Sequence, residues 1–328
     1  MKYILKITTI LLAFVFAFVS CTDDLDTTPL DPDETTADVV FDDPGAYKAF
    51  LAKLYAGLSV SGQDGPAGMG DISGIDEGFG QYLRAYWYHQ ELPTDEAVIG
   101  WDDQTIKDFH WQEWGTSDNF IAAMYYRVYY QIALVNEFLR STTEGKLNDR
   151  GESDQIKAEV AAYRNEARFL RAMSYWHALD LYGNGVPFVT EEDPVGSFMP
   201  SPISKADLFT YIESELKAIE DDINPIGQAE YGRADQGAVW TLLTKLYLNA
   251  EVYIGEAKYT EAITYANKVI DSNTYSLVDD LISHLFLADN GNLPEVIFPV
   301  IYDGVETQTF GGNKLHSYPR CSWRRYAS

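Results

Sequence analysis

Residues 154–182 read DQIKAEVAAYRNEARFLRAMSYWHALDLY, and their apolar positions recur at helical spacing. Ile156, Val160, Tyr163, Ala167 and Leu170 follow one another four, three, four and three apart. That spacing sets them along one face of an α-helix. Arg164, Arg168 and Arg171 make a second stripe, readable either as a solvated face or as structural ion pairs. The glycines and proline of GNGVP, residues 183–187, stop the helix.

The same spacing predicts helices on both sides. From Gly45 to Leu58, Ala46, Ala49, Phe50, Leu54 and Leu58 suggest one stripe. From Asp118 to Arg140, Ile121, Tyr125, Val128, Ile132, Val135 and Leu139 suggest another. Ser204 and Asp207 resemble a capping box opening a helix over 204–221. Helices over about 234–254 and 258–271 resemble a tetratricopeptide pair. Leu243, Leu246 and Tyr247 lie on its first helix, and Tyr259, Ala262, Ile263, Tyr265 and Ala266 on its second. Repeats of this kind bury their faces by stacking on neighbours. Alternation of period two is confined to short runs near VIFPVIY, 296–302. The expected class is mainly α, a tetratricopeptide-like scaffold of helical pairs with few short strands.

Residues 59–80 are rich in glycine but hold no GxGxxG opening a helix, so a phosphate loop is unsupported. Residues 79–130 are dense in aromatics and include Trp87, Trp101, Trp111 and Trp114. Up to about Thr116 that region has turn residues and no sustained period, and reads as loop with short helices.

Composition narrows the function. Among 328 residues, 50 acids face 24 bases, a net charge of −26 that repels phosphate backbones and excludes nucleic acid as a partner. No HExxH, CxxC or nucleophile elbow is present, so metal hydrolysis and acyl transfer lack support. No cofactor is expected, although the oxygens of Asp289 and Asn290 make a calcium site conceivable. The two cysteines, Cys21 and Cys321, make no disulfide framework.

Lys2 and Lys6 precede an apolar run from Ile7 to Val19. It is shorter than the roughly 20 residues of a membrane-spanning helix and reads as the h-region of a secretory signal over 1–20. Phe-Val-Ser before Cys21 resembles the lipobox of bacterial lipoproteins, in which the cysteine is acylated and becomes the new N-terminus. The alternative is an ordinary signal peptide with a cysteine nearby. The acidic, proline-punctuated TDDLDTTPLDPDETT that follows reads as part of a solvated tether over 21–43.

Three stretches then carry a family likeness: RNEARFLRAMSYWHALDLYGNGVPFV (164–189), YGRADQGAVWTLLTKLYLNAEVY (231–253) and ELPTDE (91–96). Together they resemble the SusD/RagB family of outer-membrane lipoproteins of Bacteroidetes. The resemblance runs from Cys21 to about Gly312. The segments DEG (76–78), ADN (288–290) and DGVETQTFGG (303–312) bring it near a starch-binding member. It implies an outer-membrane, lipid-anchored protein exposed on the cell surface. Such a protein captures starch or a related glucan for a SusC-like TonB-dependent transporter. It also implies an export role for Asp23, Asp24 and Asp26, and a loop-rich aromatic glycan site.

Carried over by motif, the implied glycan-binding residues are Asp76, Arg84, Trp101, Gln104 and Phe310. Gln104 stands where the starch-binding member has asparagine, and Phe310 where it has tyrosine. Ile99 stands where that member has a second ring. The chemistry suits the role: an aromatic plane covers the C–H face of a sugar, and Asp76, Arg84 and Gln104 can bond its hydroxyl rim. The bland alternatives are a loop anchor for Trp101 and a structural ion pair for Asp76 and Arg84. Two further functions compete. One is a lid or adaptor of the transporter without sugar affinity. The other is a glycoside hydrolase drawing its acid and base from Asp95, Glu96, Asp102 and Asp103.

The expected organisation is signal 1–20, tether 21–43, an N-terminal portion of the family domain over 44–312 and a non-family tail over 313–328. The tail, NKLHSYPRCSWRRYAS, carries Lys314, Arg320, Arg324 and Arg325 and no acid. A shift of reading frame after Gly312 is the expectation it raises. With the family's later helices absent, apolar faces would stay uncovered, lowering stability and function.

Overall fold

The structure is a computed structural model that describes residues 40–41, 43–62, 70–196, 199–278, 287, 290–305 and 307. Cys21, Phe310, Asp289, the signal, the tether and the tail therefore lie outside the described residues. Contacts divide the chain into Met1–Ala46 and Tyr47–Ser328. In the first unit, Asp43 Oδ1 accepts the Gly45 N–H at 2.8 Å.

The described chain is mainly helical, in the order α1 (Gly45–Ala56), α2 (Tyr82–Glu91), α3 (Gln104–Trp111), α4 (Asn119–Ser141), α5 (Glu144–Asp149) and α6 (Asp154–Tyr182). There follow β1 (Val186–Pro187), β2 (Pro202–Ile203), α7 (Lys205–Ile219), α8 (Gln236–Leu248), α9 (Ala250–Ile254) and α10 (Tyr259–Asp271). The closest packings join α4 to α6, α6 to α7 and α8 to α10. The last of these is the pair expected to be tetratricopeptide-like. Among the described residues no helix is long and apolar enough to cross a membrane.

α6 is central. Ser153 caps it, its hydroxyl accepting the Ile156 N–H at 3.3 Å, and Gly183 ends it at φ 75°. Val160, Tyr163, Ala167 and Leu170 are buried as their spacing requires, while Ile156 in the first turn is only half-buried. Beyond Leu170 the helix is buried on nearly every side, through Tyr175, Trp176 and Leu179.

The arginine stripe is not a solvated face. Arg171 is 2% exposed; it donates to Asn136 Oδ1 at 2.7 Å and to Glu215 Oε2 at 2.9 Å, and also to Glu191. Arg168 grips the same Glu215 through Nη2 at 2.8 Å and Nε at 3.2 Å. Arg164 donates to the Leu139 carbonyl at 2.5 Å and to Thr142 Oγ1 at 2.9 Å. The three guanidiniums thus bind α6 to α4 and α7. Removing one partner of such a buried pair costs about 3–5 kcal/mol because the other charge stays behind unpaired.

Three expectations need correction. On α1 the buried residues are Tyr47, Leu51 and Leu54, with Leu58 following, while Ala49 is exposed. The larger side chains take the core and leave the alanine outside. The helix expected over 234–254 breaks at Asn249, whose amide donates to the Lys245 carbonyl at 3.1 Å and competes with the helical ladder. Tyr259 and Ile263 lie on α10 as expected and face outward at 47% and 61% exposed, whereas Ala262 and Tyr265 pack inward. Residues 296–302 form no strand; Phe298 instead packs its ring edge-on to Phe169 at 5.4 Å, and Tyr302 accepts from Gln81 Nε2 at 2.9 Å. Pro299, lacking an N–H, suits such ring-anchored coil.

Ser204 caps α7 as expected: its Oγ accepts the Asp207 N–H at 3.1 Å, and the Asp207 carboxylate answers by accepting from the Ser204 hydroxyl at 2.6 Å. Among the described residues one small sheet pairs β1 with β2 antiparallel, Val186 opposite Ile203.

Candidate functional site

The floor of the site is an aromatic cluster. Tyr88 and Leu92 from the end of α2, Ile106 and Phe109 from α3, and Phe120 from α4 are buried together. Phe79, Ile99 and Ile121 pack against them. Ile99, the residue where a second sugar-facing ring was expected to be lost, is spent on this packing. Its N–H donates to His110 Nε2 at 3.2 Å, which ties the strand of chain before Trp101 to α3.

Above this floor the chain turns at DEGFG. Asp76 Oδ1 accepts the Gly78 N–H at 2.7 Å and closes the turn on itself. A Cβ at residue 78 would stand 2.7 Å from that same oxygen, so a side chain there would push the Asp76 carboxylate aside. The Gly78 carbonyl accepts from Arg84 Nη1 at 2.5 Å. Gln81 caps α2 by accepting the Arg84 N–H at 2.6 Å. Arg84 Nε donates to the hydroxyl of Tyr88, one helical turn on.

The Arg84 guanidinium is thereby fixed between two rings, 5.3 Å from the centre of Tyr88 and 5.1 Å from that of Trp101. Trp101 is 50% exposed. Burial raises the Tyr88 hydroxyl above its ordinary pKa; Arg84 works against this and Asp103 with it. The phenol stays protonated and accepts from the arginine.

The structure therefore brings Asp76, Arg84 and Trp101 to one place. The bland reading of Asp76 and Arg84 as an ion pair does not hold, because the Gly78 peptide stands between them, its N–H on the acid and its carbonyl on the guanidinium. Gln104 opens α3 three residues after Trp101, exposed, with its amide Nε2 donating to Asp108 Oδ1 at 2.6 Å. Its Oε1 remains for a ligand. Tyr88 is the contributor that the residue pattern did not single out, although its four-residue distance from Arg84 on a helix carries the signal.

This arrangement offers a flat apolar ring backed by a fixed cation, with acceptors on the neighbouring turn and helix, which matches the C–H face and hydroxyl rim of a sugar. The carboxylates considered for hydrolysis sit otherwise. Asp102 is ion-paired with Lys107, whose hydrogen bond and charge hold its carboxyl below the ordinary value, the opposite of a general acid. Asp95 and Glu96 are exposed on the turn after α2. Among the described residues no three His, Cys, Asp or Glu side chains converge to hold a metal ion. Asn290 begins a short 3-10 turn, and its neighbour in the conceivable calcium site lies outside the described residues.

No family model matches the chain. Over 299 residues it is 39% identical to the starch-binding protein SusD of Bacteroides thetaiotaomicron, covering 90% of this chain and 50% of that protein. In structure it is similar to a SusD superfamily protein from Parabacteroides distasonis, with a TM-score of 0.61 and 22% identity over 81% of this chain and 51% of that one. It is also similar in fold to surface glycan-binding protein A from Bacteroides thetaiotaomicron, solved in complex with laminarihexaose. There the TM-score is 0.58 at 17% identity, over 79% of this chain and 49% of that one. The chain thus spans about half the length of the proteins it matches.

Proposed function

The chain is SusD-like, and on that premise we propose that it is a carbohydrate-binding protein that seats a glycan on Trp101. The observation that carries this reading is the half-exposed Trp101 ring held against the anchored Arg84 guanidinium. One face of the indole lies on the cation and the other is left for a sugar. The turn at Asp76 and the amide of Gln104 supply acceptors beside it.

A starch-like α-glucan is the proposed ligand, supported by the 39% identity to a starch-binding protein. Delivery to a SusC-like TonB-dependent transporter is the proposed purpose. Attachment to the outer membrane through an acylated Cys21, facing the cell exterior, is the proposed location; its support is the signal and lipobox pattern of the sequence.

Affinity electrophoresis through gels containing amylose tests the binding. The chain should be retarded, and Trp101→Ala should migrate as if no glycan were there. Retardation that survives Trp101→Ala would remove the indole from the site. No retardation of either chain would favour a lid or adaptor without sugar affinity of its own. Release of reducing ends that is lost in Asp95→Asn would point instead to a hydrolase.

A further inference from the structure

α2 carries polar side chains on two opposed faces. Arg84 and Tyr88 meet the Trp101 site. Gln90, two residues past Tyr88, is turned by roughly 200° about the helix axis and faces elsewhere. There an open cleft of about 610 Å³ lies between the end of α2, the loop after α3 and the last turn of α6.

Trp114 stands in its wall, 45% exposed, backed by the ring of Phe109 at 6.0 Å. On the rim, Gln90 Nε2 donates to Asp180 Oδ2 at 3.0 Å. Asp180 Oδ1 in turn accepts the Tyr253 hydroxyl at 2.7 Å. The Gln90 Oε1 and second N–H, and further lone pairs of Asp180, are left over. His89 lies within hydrogen-bond reach of the Ala85 carbonyl through Nδ1, at 2.7 Å, so that nitrogen carries the proton and Nε2 is an acceptor. Nε2 is buried with no partner, and burial lowers the pKa of the ring, keeping it neutral.

The loop bearing Trp114 is preformed. Gln112 closes α3 in the left-handed region at φ 57°, a conformation uncommon for a residue with a side chain. Its amide Nε2 donates to the Pro93 carbonyl at 2.7 Å, clasping the two sides of the cleft together. The Glu113 N–H reaches Asp108 O at 2.9 Å, and the Asp118 N–H reaches Gly115 O at 3.1 Å.

An exposed indole beside a rim of amide and carboxylate is sugar-binding chemistry, and the volume falls in the range of small-molecule sites. Among the described residues no lysine or arginine lines the cleft, while Asp180 does, which disfavours an anionic ligand. We propose that this cleft is a second carbohydrate subsite, distinct from Trp101, that takes a neutral sugar ring against Trp114 with Gln90 and Asp180 bonding its hydroxyls.

Fluorine NMR of the chain labelled with 5-fluorotryptophan tests it, the Trp114 resonance being assigned by its loss in Trp114→Phe. Maltotriose, laminaritriose and cellotriose are titrated separately into the unmodified chain and into Trp101→Ala. In both, one of these sugars should move the Trp114 resonance saturably. Gln90→Ala should weaken that response about two- to tenfold, the worth of one hydrogen bond. A Trp114 resonance unmoved by all of these sugars overturns the subsite, whatever Trp101 does. Movement of Trp101 alone would keep the proposed function and discard the subsite; movement of Trp114 alone would do the reverse.

Discussion

The guanidinium carbon of Arg84 stands 5.1 Å from the centre of the Trp101 ring, so the cation forms part of the support for the exposed indole. Its hydrogen bonds to the Gly78 carbonyl and the Tyr88 hydroxyl fix it in place. Arg84→Ala should therefore weaken glycan binding about tenfold, or ~1.4 kcal/mol. Stability should fall by only about 1–2 kcal/mol, the worth of the lost hydrogen bonds. Arg84→Lys keeps the charge but loses the planar fork and its stacking, and should fall between the two. Calorimetric titration with maltoheptaose beside urea denaturation separates the two effects.

Glu166 is fully buried, and its carboxylate accepts from the guanidinium of Arg233 and from the Tyr55 hydroxyl at 2.6 Å. The pairing holds the Arg233 pKa above its ordinary value, the hydrogen bond to Glu166 leading. Arg233→Met leaves the acid in the interior with one partner fewer and should cost about 3–5 kcal/mol. The Lys48–Glu230 pair is an internal control, its side chains being 56% and 61% exposed. Lys48→Ala should change stability by less than about 1 kcal/mol. Urea unfolding of both variants measures the contrast.

His177 is buried, with Nδ1 2.8 Å from the Tyr82 hydroxyl. Burial, and then the charge of Lys245, pushes its pKa down to about 3. In an unfolded chain histidine titrates near 6.5. Between those values the unfolded chain takes up the proton and the folded chain does not. The stability this group contributes is whole above pH ~6.5 and is lost as the pH falls toward ~3. The slope should reach about 1.4 kcal/mol per pH unit. His177→Gln should flatten the fall in unfolding free energy by up to one proton. His89, whose pKa burial also lowers, should preserve part of the slope. Denaturation at a series of pH values reads both.

What could be read from the sequence was whatever is local. The stripe of Val160, Tyr163, Ala167 and Leu170 and the cap at Ser204 follow from neighbours three or four residues away, and both are present. The arginines at 164, 168 and 171 were visible as a pattern, but Glu191 and Glu215 could not be chosen as partners among 50 acids. In residues 79–116 the expected loop with short helices is present as α2 and α3, but aromatic density hides which rings turn inward, because rings serve cores and platforms alike. Only the fold separates buried Phe109 from exposed Trp114. Asp76, Arg84 and Trp101 came from family likeness. Their meeting depends on the Gly78 peptide, which no side-chain pattern encodes.

Gln104 is the site residue whose role turns on a neighbour. Its Nε2 donates to Asp108 Oδ1 at 2.6 Å, one helical turn along α3. That bond uses one amide proton and orients the carbonyl oxygen, leaving Oε1 and a second proton for adjacent sugar hydroxyls. Gln104→Ala removes these groups and should weaken glycan binding about fivefold, close to 1 kcal/mol. Asp108→Ala removes only the orientation and should weaken it by about twofold. In Gln104→Ala/Asp108→Ala the loss should match that of Gln104→Ala alone, because the aspartate acts through the amide. Titration of the four chains with one maltooligosaccharide closes the cycle. Additive losses would mean that Asp108 meets the sugar itself.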